Sequence, residues 1–482
     1  MSFLPEYVAL SIVASAALLL MRLTTWRPSI PKHWHLEASR LPLPSMLSRL
    51  AFPNAATRGE LQEIVDLAGC HETAARLAVL IHKDGAGAWP PRTNYVYSTW
   101  PEALRAYADI YLEMAPLLPA ENPSLDDDAN TERITGFRAR HTELLDSLVN
   151  LEAVSRLLQA AEAGRWDVFP RDVYNAFYCC IAWHRHAYRW GTIPCVRVAQ
   201  LEQSLPLPTQ LTLPWKYLQA HFGLFSESGN ITSNLMLNFS PSGTYQLKIN
   251  TGLSPRLQSS EEEFARVLRD VEVLGLPVYT SIIRATIAHA RGDLPACLAH
   301  VRRVSSALRV ALGAYYDRMH DAKIARDAWL SHVQGFFAWG MGVEDERTRR
   351  WVTFDGLSGN QVMLFQALDA WLGLDPYLSD EVMGMNVPRL QREFCEAVRR
   401  AGFRGRLGDE GVEGEIKTEI GGIVKKLRLF RSAHRTRAKD YLMIPAPERL
   451  PMTAGKSLLK ADMEASMEFL DGFMLARLRQ TL

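Results

Sequence analysis

The chain has 482 residues, of which 48% are hydrophobic and 22% charged, with a formal net charge of +1 and 12 tryptophans. That is a large folded protein with enough apolar material for a substantial core in two or three domains. The balanced charge, without a basic block, argues against nucleic acid as a partner. In chain order, Val8–Met21 is an uninterrupted run of small and apolar residues, extended toward Phe3 and Leu4. Counted from Phe3 it reaches roughly the 17–20 residues that a membrane-spanning helix needs. No basic side chain precedes it, and Arg22, Arg27 and Lys32 follow it. This order is opposite to that of a cleaved signal peptide, so residues 1–26 are expected to be an uncleaved anchor with the body in the cytosol.

Residues 27–58 are punctuated by proline and read as a linker. Helical periodicity begins near Arg58, and a stripe at Leu104, Tyr107, Ile110, Tyr111 and Met114 marks one helix. The run Asp126–Asp128 reads as a solvated loop. Phe137–Ala163 is expected to be one long amphipathic helix, and Tyr174–Tyr188 another. His184 and His186 suggest a metal pair, but positions i and i+2 of a helix face apart and cannot share one ion. The cysteines (Cys70, Cys179, Cys180, Cys195, Cys297 and Cys395) show no CxxC spacing, which favours reduced thiols.

Residues 59–204 thus form a first helical block, and 205–258 an intervening segment rich in Ser, Asn, Gly and Thr. Alternation in Thr244–Asn250 suggests a short strand or hairpin. Asn230 and Asn238 begin glycosylation acceptor patterns, which matter only in a lumen. A second helical block occupies 259–482. Ser260-Glu261-Glu262-Glu263 is a natural helix start, with acids at the positive end of the dipole. A helix follows over Asp293–Arg318, then a segment from Met319 to Trp339.

Two stretches near the end carry chemistry. Gly356–Gln361 is a small-residue loop that opens a helix, a place where backbone approaches a bound group and an anion is favoured. In that helix Asp369 stands among Leu368, Trp371 and Leu372, where a carboxylate needs a partner. Further on, Leu427, Phe430, His434, Ala438 and Tyr441 fall at helical spacing, and Pro445 and Pro447 stop the helix. His434 therefore lies on an inward stripe. The common reading is a satisfied core histidine; the sharper one is an axial ligand for haem iron.

Together these stretches resemble the indoleamine 2,3-dioxygenase family. Its members carry a Gly-Gly-Ser-x-Gly-Gln-Ser-Ser loop, a helix with Phe-Asp-x-x-Leu-Gly, and later an Arg-x-x-His run followed by Tyr-Ile-x-x-Pro. Arg431, His434, Tyr441, Leu442 and Pro445 match the last of these. The likeness spans residues 60–480, strongly over 352–374 and 427–447. It implies an all-α fold in which a small helical domain rests on a larger one, with haem b between them. It also implies His434 as proximal ligand of the haem iron, and Arg431 paired with Asp369 to hold the ligand helix. Gly356, Ser358, Gly359 and Arg431 would contact the haem. Leu213, Phe264, Leu268, Trp329, Val333 and Ser358 would line the substrate pocket.

The sequence departs from that family in ways that bear on substrate. Leu213 stands where a pocket tyrosine is usual, Leu268 where a serine is usual, and Val333 where an arginine clamps the substrate carboxylate; Arg326 and His332 are near but out of register. The anchor is a further departure, since usual members are soluble; an anchor followed by prolines is similar to the layout of microsomal cytochromes P450. The resemblance implies a haem-dependent dioxygenase that opens the indole C2–C3 bond with O2, of tryptophan or of a modified, less polar indole. Two alternatives stand beside it: a haem-dependent oxygenase of secondary metabolism acting on a different substrate, and a haem sensor without turnover. The expected setting is the endoplasmic reticulum membrane, with a cytosolic catalytic domain and an electron donor as a further partner.

Overall fold

The computed structural model describes residues 55–481 apart from Glu346, Tyr377 and Ala461. The expected anchor at 1–26 and nearly all of the 27–58 linker lie outside the described residues. Of the described residues, 66% are helical and 2% are in strands, which makes the class all-α. One-turn helices aside, the first half holds α1 (Ala55–Leu67), α2 (Glu72–Lys83), α3 (Glu102–Met114), α4 (Asp127–Leu148), α5 (Leu151–Glu162), α6 (Arg171–Trp190) and α7 (Thr209–Phe222). α6 is buried from Val173 to Trp190 and ends at Gly191, whose φ of 64° suits glycine. It packs on α3 and α7.

Two expectations fail here for local reasons. The Asp126–Asp128 run starts a helix, because the Asp126 carboxylate accepts from the backbone N–H of Asp128 and Ala129 at 2.9 and 3.2 Å. The long helix expected over 137–163 is two helices, because Val149 is extended and Asn150 caps α5 through the N–H of Ala153 at 3.0 Å. The discounted histidine pair does face apart. His184 bonds His141 and the Tyr107 carbonyl, while His186 lies between the carbonyls of Phe336 and Ser228.

The second half holds α8 (Pro255–Ala290), α9 (Leu294–Arg318), α10 (Arg326–His332), a short hairpin of β1 (Gly342–Glu344) and β2 (Trp351–Thr353), then α11 (Met363–Leu372), α12 (Asp380–Asn386), α13 (Arg389–Ala401), α14 (Gly411–Leu442) and α15 (Met463–Arg479). β1 and β2 are antiparallel, with Val343 opposite Val352. α8 begins before the expected Ser260, because Ser254 caps it and Pro255 occupies its first turn. Glu261 is instead buried inside the helix, where it accepts from the Tyr245 hydroxyl, from Asn250 Nδ2, and from the N–H groups of Ile249 and Asn250. That carboxylate organises residues 245–250, which form no strand beyond a single bridge between Phe239 and Tyr245. Asn230 and Asn238 are both buried and hydrogen-bonded, so neither is open to glycosylation.

α8 lies along α9, α9 along α14, and α15 along α14, while α11 packs on α8 and α13. α1 and α2 reach across to α8 and α13, so the two helical blocks share a core. In α14, Ile416, Ile420, Ile423 and Leu427 are at most 1% exposed, which contributes about 1.5–3 kcal/mol each. Among the described residues only α8 is long and apolar enough to cross a membrane; 83% of that window is buried in the protein, so the core accounts for its hydropathy. All six cysteines are free thiols.

Candidate functional site

His434 lies on α14 between Phe430 and Tyr441, both of which are buried, but its own side chain is exposed, so the inward stripe expected from the spacing is interrupted at this residue. Its Nδ1 is 2.8 Å from the Tyr315 hydroxyl oxygen on α9. Burial pushes the Tyr315 phenol up, so it stays protonated. When Nδ1–H donates to that oxygen, Nε2 keeps its lone pair, and among the described residues Nε2 has no hydrogen-bond partner. The surrounding protein, with the nearby Arg437 charge, pushes the imidazole down to about 4. It is therefore neutral at pH 7. Yet the residue is solvent-accessible.

Aromatic rings support it. Phe430 and His434 are nearly parallel at 6.1 Å, and Phe365 of α11 stacks on Phe430 at 4.8 Å. Tyr315 meets Phe430 edge-on at 5.0 Å. One turn before His434, Arg431 Nη2 donates to Asp369 Oδ1 at 2.6 Å, and the other carboxylate oxygen is bound by Arg477 of α15. Asp369 is 3% exposed, so two guanidinium groups answer one buried carboxylate. α11 is fixed in turn at its start, where Glu272 of α8 accepts from the Leu364 N–H at 2.9 Å, from Tyr279 at 2.6 Å and from Trp89 at 3.1 Å.

Phe264, Leu268 and Glu272 are spaced i, i+4 and i+8 on α8, along one face. Phe264 and Leu268 are half-buried. Phe264 packs edge-on against Trp329 at 5.9 Å and lies tilted against Phe337 at 6.1 Å; Trp329 then meets Tyr441 of α14 at 5.3 Å. The structure thus brings Phe264 and Trp329 together, and ties them to the helix of His434. Val333 is fully buried just after α10. Leu213 is not placed with this cluster: it lies on α7, which packs on α5 and α6. The 354–361 loop adjoins the cluster through Phe337, whose carbonyl accepts from the Leu357 N–H at 3.0 Å.

Within that loop the glycines have different jobs. A Cβ on Gly356 would lie 1.9 Å from the Phe337 carbonyl oxygen, so its smallness serves backbone packing within the protein. Gly359 has open space around it. Ser358 is half-buried, and its hydroxyl accepts from Asn360 Nδ2 at 2.9 Å. The cations near Val333 are engaged elsewhere. Arg326 faces Asp321 and Asp440 at 3.9 and 3.8 Å, and His332 bonds the Ala120 carbonyl at 2.9 Å.

Sequence reasoning missed Tyr315 and Arg477. Tyr315 is 119 positions from His434 and Arg477 is 108 from Asp369, and no local spacing links either pair. No family model matches this chain. A search of curated proteins finds no match either.

Among the described residues, no group of three or more His, Cys, Asp or Glu side chains stands together as a metal site. A haem asks for less: one neutral imidazole with a free nitrogen, held rigidly in apolar surroundings. His434 supplies the neutral imidazole and the free nitrogen, but its side chain is exposed rather than enclosed in apolar surroundings.

Proposed function

We propose that this chain is a haem-dependent oxidoreductase, a dioxygenase that opens the C2–C3 bond of an indole. The observation that carries the reading is His434, whose Nε2 is unpartnered among the described residues while Tyr315 holds Nδ1 at 2.8 Å. The likeness of Arg431, His434, Tyr441 and Pro445 to the indoleamine 2,3-dioxygenase pattern supports it, as does the buried pairing of Arg431 with Asp369. When bound at His434, haem b supplies the activation of dioxygen. The chain's own part is to hold the imidazole in one orientation, flank it with the rings of Phe430 and Phe365, and offer Phe264 and Trp329 as packing for a flat ring.

The substrate we propose is a modified indole without a free carboxylate. A carboxylate buried without a cation costs several kcal/mol, and Val333, Arg326 and His332 provide none in the expected place. The run at Val8–Met21 supports membrane anchoring, with the catalytic body in the cytosol at the endoplasmic reticulum and an electron donor to reduce the iron. The test is incubation of the haem-loaded protein with 18O2 and either tryptophan or indoles lacking the carboxylate. Two labelled oxygen atoms in a ring-opened product of the neutral indole are expected. Stable ferric haem without oxygen uptake on any indole would leave a sensor.

A further inference from the structure

Three buried side chains, two on α6 and one in the turn beside it, carry hydrogen-bond donors that have no partner among the described residues. Arg185 is 1% exposed, yet its Nε and Nη1 are both unpartnered. Its ion pair with Glu227 uses Nη2 alone, which also donates to the Glu227 carbonyl at 2.9 Å. The Glu227 side chain is 30% exposed, so water shares its charge. Tyr178, two turns earlier on the same face of α6, has an unpartnered hydroxyl. Asn230 accepts from the Ser233 N–H through Oδ1 at 3.0 Å and leaves Nδ2 unpartnered.

Trp215 joins these groups. The Arg185 guanidinium carbon lies 4.6 Å from the centre of its ring, and the Tyr178 ring lies 5.5 Å from it. The side chains of Ser233 and Asn230 and the charge of Arg185 all bear on the Tyr178 phenol, against the upward push of burial. Asp84 bears on it in the opposite sense, and burial pushes that carboxyl up to about 7.

Donor character decides the class of ligand. The Arg185 nitrogens and Asn230 Nδ2 can only donate, and the Tyr178 hydroxyl alone can also accept. A water brings two hydrogens of its own and wants acceptors for them. An anion accepts from every one of these groups, and its bond to a guanidinium is charge-assisted. All three side chains are at most 1% exposed, which restricts the ion to a small one. We propose that Arg185, Tyr178 and Asn230 bind a monovalent anion of the size of chloride. The ion ties α6 to the 226–234 turn. That turn holds the 355–361 loop, through the Ile231 N–H on Gln361 Oε1 at 2.9 Å and the Ser228 hydroxyl on the Asp355 carbonyl at 2.5 Å. The site makes no use of haem.

Bromide is the probe. Crystals of the full-length chain grown in bromide are expected to show an anomalous-scattering peak touching Arg185, Tyr178 and Asn230. In solution, the unfolding midpoint is expected to be about 2 °C higher in bromide than in gluconate at equal ionic strength. That gap should vanish in Asn230→Asp, which sets a carboxylate beside the ion and keeps the cap on Ser233, and shrink in Tyr178→Phe. Density without anomalous signal, which is ordered water, would overturn the site. A bromide peak with no gap, or with the same gap in all three proteins, would mark an adventitious ion only and overturn it equally. Should Asn230→Asp not fold, Tyr178→Phe carries the comparison.

Discussion

The two sides of the candidate site are built by opposite means. Around His434, position is fixed by directional polar contacts: Tyr315 on Nδ1, Asp369 between Arg431 and Arg477, and Glu272 at the start of α11. Phe264, Leu268, Trp329 and Val333 instead meet through ring and apolar packing, and the Trp329 indole N–H is buried without a partner. The contrast teaches a division of labour. On the proposed reading, one wall specifies where a ligand atom must be, and the other selects only by shape and apolarity. Changes on the first should cost stability and cofactor affinity, and changes on the second should alter only what else is bound.

The largest effect is expected where the contrast is sharpest. Asp369→Ala removes the carboxylate between the buried Arg431 and the partly buried Arg477 and should cost about 3–5 kcal/mol in denaturant unfolding. A loss below about 1 kcal/mol would mean that the pair does not hold α14. Next, Tyr315→Phe should weaken haem binding by about tenfold, as loss of an outer partner does for a metal-ligating histidine. Haem titration measures this, and an unchanged affinity would remove Tyr315 from the account.

On the apolar wall, Phe264→Ala should weaken indole binding to the haem-loaded protein by about tenfold with the Soret band unmoved. A shifted Soret band would show that the two walls are not separate. Leu268→Ser, which restores the residue usual in the resembled family, should change stability by at most about 1 kcal/mol.

The pH dependence separates the walls more gently. His434 is held near 4 against an ordinary value of 6.5, so only below about pH 4 does a proton compete for Nε2. Haem affinity should be level from pH 8 to pH 5 and fall below 4. Stability follows the same sign. His184, His186 and His221 are also pushed down to about 4 by burial, so the unfolded chain binds more protons between 4 and 6.5. The stability these neutral imidazoles contribute is present above 6.5 and lost as the pH falls to 4. Asp84 and Glu261, raised to about 7 by burial, act in the opposite direction and only partly offset the loss. Unfolding midpoints that rise on acidification through this window would contradict the assignment.

What was legible in the sequence was local. Leu427, Phe430 and Tyr441 announce an inward stripe by spacing alone, and Asp369 among apolar neighbours announces a need for a cation. Helix limits were less legible where a cap outweighs periodicity, as at Asn150 and at Ser254-Pro255. Least legible were the long-range partners. Nothing near Tyr315 marks it as the neighbour of His434, and nothing near Arg477 marks it as a second partner of Asp369. Gly356 shows the remaining ambiguity, since a small residue that admits a ligand and one that admits another stretch of backbone look alike until the fold is known.

The central claim is that His434 presents a free nitrogen to haem iron. It is tested most directly by absorption spectra of the haem-loaded protein, oxidised, reduced and with carbon monoxide, beside His434→Ala. A histidine-ligated Soret band is expected in the parent and is lost or shifted in the variant, with both proteins folded. A folded parent that takes up no haem, or identical spectra from the two proteins, would contradict it.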